Sequence, residues 1–63
     1  MKPHQQRVID ELFELSDKLQ KLMLFMVTPF FASIDSAEQS RLILQASVMS
    51  TYELILKDRI EAF

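Results

Sequence analysis

Between Pro3 and Phe63 a single residue, Pro29, breaks helical geometry, and the chain contains no glycine. Proline lacks an N–H and disfavours helical dihedrals at the residue before it, so a helix reaching Thr28 stops there. Pro3, by contrast, suits a first helical turn, where its missing donor has no intrahelical partner anyway. This punctuation predicts two arms of nearly equal length, about 3–27 and 37–62, the first on the order of 37 Å long at about 1.5 Å per residue. Ser36 with Gln39 three residues later reads as a capping box opening the second arm, and Asp35 and Glu38 place negative charge at its positive end. Residues 28–36 are too apolar for a solvated loop, and a short helical turn over 29–34 is expected to plug the hairpin end with Phe30, Phe31 and Ile34. Equal arms with a short connection fold antiparallel, so the fold class is all-α, a two-helix hairpin.

Each arm carries two apolar-leaning rows at heptad spacing, one more than a hairpin needs. In the first arm Val8, Leu12, Leu15, Leu19, Leu22 and Met26 form one row; Ile9, Phe13, Ser16, Gln20, Met23 and Val27 form the next. In the second arm Leu42, Ala46, Met49, Leu56, Ile60 and Phe63 lie beside Arg41, Gln45, Val48, Tyr52, Ile55 and Arg59. If the arms pair antiparallel, levels match where residue numbers sum to about 64, setting Val8 against Leu56, Leu15 against Met49 and Leu22 against Leu42. The first rows zip together; the second rows require another surface, and self-association into a homo-oligomer is expected.

A chain of 63 residues is one domain, 1–63, and one this small buries only about 60% of the surface its unfolded chain exposes. Cysteine is absent and His4 is the single histidine, so no disulfide, metal site or cofactor is expected to staple it. Association is the remaining staple, and the hydrophobic fraction of 49% provides the surface for it. A net charge of −2 argues against DNA or RNA binding, which calls for a basic face. The longest apolar run is broken at Thr28 and Pro29 and falls short of the roughly 20 residues of a membrane span. The first residues lack the apolar centre of a signal peptide, so an intracellular location is expected.

Candidate binding residues fall into two groups. His4, Arg7, Glu11, Glu14, Lys18 and Lys21 share one sector of the first arm, of about 100°. That sector is either a solvated face laced by Glu14–Lys18 and Asp17–Lys21 pairs, or a ledge where Lys18 and Arg7 of neighbouring chains meet a small anion. The other group interrupts the second rows. Ser16 and Gln20 either fix register and oligomer state or hydrogen-bond a ligand in the seam; by the level rule they face residues 44–48. Arg59 favours the helix dipole at its end, and copies gathered about a rotation axis need an anion between them, phosphate being the natural bidentate partner. Ser16, Gln20 and Arg59 can therefore share a pocket only if different chains supply them. No nucleophile–base pair, carboxylate dyad or glycine-rich phosphate loop can be assembled, so catalysis is not expected.

Several stretches taken in order carry a resemblance: His4-Gln-Gln-Arg-Val with Glu11-Leu, Leu15-Ser-Asp-Lys-Leu-Gln-Lys-Leu ending in Phe25, Phe30-Phe-Ala-Ser with Glu38-Gln, and Val48-Met-Ser-Thr-Tyr-Glu-Leu-Ile-Leu-Lys-Asp-Arg-Ile with Phe63. Over nearly the whole chain this resembles the small phage proteins of the anti-CBASS protein 2 type and related short phage proteins of unassigned function. The resemblance implies a non-enzymatic sponge, often a hexamer, that sequesters the cyclic di- and trinucleotide messengers of bacterial anti-phage immunity in the cytoplasm of the infected host. It implies that Lys18 matches a lysine pairing with dinucleotide phosphates at a head-to-head interface. The aromatic of that site has no counterpart, since Pro3 and His4 stand there. It further implies that Arg59 matches an arginine meeting trinucleotide phosphates about a three-fold axis, with Ser16 and Gln20 at positions lining that pocket. The expected binding residues are thus Lys18, Arg59, His4, Arg7, Lys21, Ser16 and Gln20. The alternatives are an assembly or adaptor module whose second rows grip a host protein, and a small helical nucleic-acid regulator, which the charge disfavours.

Overall fold

The computed structural model describes all residues, Met1–Phe63, as three helices: α1 Pro3–Met26, α2 Pro29–Ser33 and α3 Ser36–Glu61. The arms agree with the expected boundaries to within one residue at each end, and the connecting turn closes at Ser33 rather than residue 34. Pro3 sits in the first turn of α1, where the Gln5 side chain accepts the Lys2 N–H at 3.0 Å. At the other end Pro29 opens α2, and Thr28 caps it. The Thr28 hydroxyl donates to the Phe25 carbonyl at 2.6 Å and accepts the Phe31 N–H, so one side chain ends α1 and begins α2.

The start of α3 differs from the capping box read in the sequence. Asp35 is the N-cap: its carboxylate accepts the N–H groups of Ala37 and Glu38 at 3.1 and 3.4 Å. Ser36 is already inside the helix. Gln39, freed from the box, turns its amide back to the end of α2, within 3.0–3.3 Å of the carbonyls of Phe31, Ala32 and Ile34. The physical reason is that a carboxylate one residue earlier reaches the same orphan donors, and α2 leaves carbonyls that need a donor. The aromatic plug is also partial. Phe25 packs against Phe30 and Phe31 with ring centroids 5.8 and 5.9 Å apart, but Phe30 stays 65% exposed.

The first rows do zip together. Val8, Leu15 and Leu56 form the core, with Leu12, Met49 and Ile60 packed against it, and Leu56 is fully buried. Val8 and Leu15 of α1 share this cluster with Leu56 of α3. Only 4 of the 63 residues are buried, and the molecule is a rod of 46 × 14 × 13 Å. Its radius of gyration is 14.5 Å, against about 11 Å for a compact domain of this length. Its exposed surface is 4828 Å², about 600 Å² above the roughly 4,200 Å² typical of a 7.4 kDa monomer. No helix is long and apolar enough to cross a membrane.

Candidate functional site

The surplus surface divides between two opposite broad faces of the rod, and helical geometry fixes the division. Glu53 and Arg59 stand three residues before and after the buried Leu56, so each lies about 60° to one side of the line facing α1. Ser16 follows the buried Leu15 and lies about 100° round, on Glu53's side, where its hydroxyl donates to the Glu53 carboxylate. Lys18, three residues after Leu15, lies about 60° round the other way. One face therefore presents the second row of α1 with Glu53. The other presents the second row of α3 with the charged sector of α1.

On the first face Ser16, Leu19, Gln20, Met23, Leu24, Val27 and Glu53 line an open groove of about 420 Å³. Its walls are apolar and largely in water: Met23, Leu24 and Val27 are 54%, 60% and 80% exposed. Polar groups enter only at Ser16, Gln20 and Glu53, the composition of a small-molecule site, apolar with a few placed polar groups. Ser16 does not face residues 44–48 as the level rule alone suggests. A side chain offset from the contact line reaches diagonally, and the hydroxyl meets Glu53 instead. Glu53 was missed by sequence reasoning, although a signal exists: the inward row of α3 runs Met49, Leu56, Ile60 and skips the position between, where a glutamate stands on an apolar line.

On the second face the cations differ in their freedom. Lys21 is neutralised by Asp17 at 2.9 Å, and Arg41 by Glu38 at 2.7 Å. The expected Glu14–Lys18 pair is not formed; at an exposed i,i+4 site it is worth only about 0.2–0.5 kcal/mol, and water competes with it. Lys18, Arg7 and Arg59 make no ion pair. By level, Arg7 and Arg59 stand at the same end of the rod. Between them and Lys18 runs the exposed apolar line Val48, Tyr52 and Ile55. His4 lies near the same end, exposed, with no carboxylate bonded to it. Of the seven expected binding residues, Ser16 and Gln20 come together in the groove, Lys18, Arg7 and Arg59 share the opposite face, with His4 at its end, and Lys21 is held by its own helix. Ser16 and Gln20 are thus separated from Arg59 by the thickness of the molecule.

A family model described as Sequestin matches residues 2–62 of the 63. No curated protein and no solved structure matches the chain.

Proposed function

The chain belongs to the Sequestin family, and from that membership we propose a non-enzymatic phage counter-defence protein that sequesters cyclic oligonucleotide messengers at pockets between subunits of a homo-oligomer, acting in the cytoplasm of the infected bacterium. The observation that carries this reading is the cationic face, where Arg7, Lys18 and Arg59 are free of ion pairs beside the exposed Tyr52, Val48 and Ile55. Phosphates take the cations and bases take the ring and the aliphatic side chains. The anionic chain as a whole is unsuited to long polynucleotides, yet three uncompensated cations suffice for a messenger with two or three phosphates. Copies supply one another with what each lacks: a neighbour's cationic face laid on the groove face brings Arg59 and Lys18 to Ser16 and Gln20 and covers the surplus apolar surface. A hexamer satisfies both two-fold and three-fold contacts of this kind.

Calorimetric titration with a panel of cyclic di- and trinucleotides tests the proposal. Saturable binding with no turnover of the nucleotide is the expected result. The absence of heat and of any thermal shift across the panel removes the sponge reading and leaves an adaptor that docks a host protein on its exposed α3 row.

A further inference from the structure

Glu53 is the one charged side chain lining the groove. It is half-buried on α3 and accepts the Ser16 hydroxyl, and neither ion pair of the chain involves it. A carboxylate only accepts, through two oxygens with about four lone-pair positions, and Ser16 occupies one of them. The remaining capacity faces a groove whose other walls are Leu19, Met23, Leu24 and Val27. Such a group repels phosphate and attracts N–H donors. Gln20, one turn beyond Ser16 and about 6 Å further along α1, adds an amide that can donate.

We infer that the groove is a nucleobase pocket selective for guanine, in which Glu53 accepts the neighbouring N1–H and N2–H of the base edge and Gln20 donates to O6. The inference rests on the cyclic-nucleotide reading above and specifies the base. Guanine alone among the common bases presents two adjacent ring-edge donors followed by an acceptor. Adenine and cytosine place a ring-nitrogen lone pair where guanine has N1–H, directly against the carboxylate. Uracil offers one N–H between two acceptors. The apolar walls hold the ring faces, and Ser16 fixes the carboxylate against α1 so that little order is lost on binding. Because Glu53 keeps phosphates out of the groove, they fall to the cations of a neighbouring copy.

The test is titration of the full chain with cyclic di-GMP and cyclic di-AMP, repeated for Glu53→Gln. The native chain is expected to favour the guanine ligand by about tenfold or more, since a site built to accept an N–H discriminates against a ligand lacking it. Glu53→Gln offers one acceptor in place of two and sets an amide donor opposite the adenine ring nitrogen, so it is expected to lower guanine-ligand affinity by about tenfold while leaving the adenine ligand unchanged or bound more tightly. Equal affinities in the native chain overturn the inference and leave the sponge reading intact; this comparison needs no variant, so a folding defect cannot mask it. Equal weakening of both ligands by Glu53→Gln, with an unchanged circular dichroism spectrum, assigns the carboxylate to a ribose hydroxyl and also overturns it. Binding of neither ligand, nor of any other cyclic nucleotide, overturns both readings.

Discussion

Ser16 of α1 and Glu53 of α3 form the only side-chain hydrogen bond that joins the two long helices. The core cluster between them is apolar, Val8 and Leu15 of α1 with Leu56 of α3. A bond to a charged, half-buried acceptor contributes about 1.5–3 kcal/mol. Ser16→Ala is therefore expected to lower the thermal midpoint by roughly 6–24 °C, at about 4–8 °C per kcal/mol for a domain this small. A double-mutant cycle with Glu53→Ala, followed by circular dichroism, isolates the pair. Additive effects of the two substitutions would mean that the bond is not maintained in solution.

Leu56 and Ile55 are neighbours in sequence with opposite fates. Leu56 is fully buried; Ile55 is 54% exposed on the cationic face. Leu56→Ala is expected to cost about 2–5 kcal/mol, comparable to the whole of the roughly 3–5 kcal/mol that a core of this size supplies, and cooperative unfolding should be lost. Ile55→Glu removes no core contact, so helical content is retained while assembly weakens. Sedimentation at micromolar concentration reads this as a fall in mass. A native chain that sediments as a monomer would contradict the use assigned to both broad faces.

The hairpin was legible in the sequence because its signals are local and redundant. Pro3 and Pro29 bound one arm, the absence of glycine lets the second run on, and the Val8–Leu22 row agrees in period with Leu42–Ile60. The division of the surplus rows between opposite faces was not read, because it depends on the relative rotation of two antiparallel helices rather than on either period. Glu53 escaped for a similar reason. Alone on α3 it reads as a gap in an apolar row; only with Ser16 placed diagonally across from it does it become a groove wall. Lys18 and Lys21 look alike in sequence, and the structure separates them by whether a neighbouring carboxylate is engaged.

That separation predicts unequal consequences for binding. Lys18→Ala removes a free cation and is expected to weaken cyclic dinucleotide binding by roughly 10- to 100-fold, the equivalent of about 1.5–3 kcal/mol for a charge-assisted bond. Lys21→Ala removes a cation already held by Asp17 at 2.9 Å, and its effect should stay within about twofold. Arg59→Ala is expected to act chiefly on cyclic trinucleotides. Calorimetry on the three variants decides the matter. Equal losses of both ligand classes from Lys18→Ala and Arg59→Ala would mean one shared site or a broken oligomer.

The last prediction concerns the hairpin turn, on which the register of both faces depends. Asp35 holds the Ala37 and Glu38 N–H groups, whereas Ser36 bonds nothing at the helix start. Asp35→Ala is therefore expected to cost about 1 kcal/mol, within the 0.5–2 kcal/mol range of N-cap losses. It also deletes a negative charge from the positive end of α3. Ser36→Ala should be neutral to slightly stabilising, since alanine is the better helix former inside the first turn. Gln39→Ala strips the donor shared by the Phe31, Ala32 and Ile34 carbonyls, and its cost should match or exceed that of Asp35→Ala because the Phe31 and Ile34 sites are partly buried. Chemical denaturation of the three variants at fixed protein concentration measures the order. If Ser36→Ala proves the costliest, the capping box of Ser36 and Gln39 forms in solution and the Asp35 cap does not.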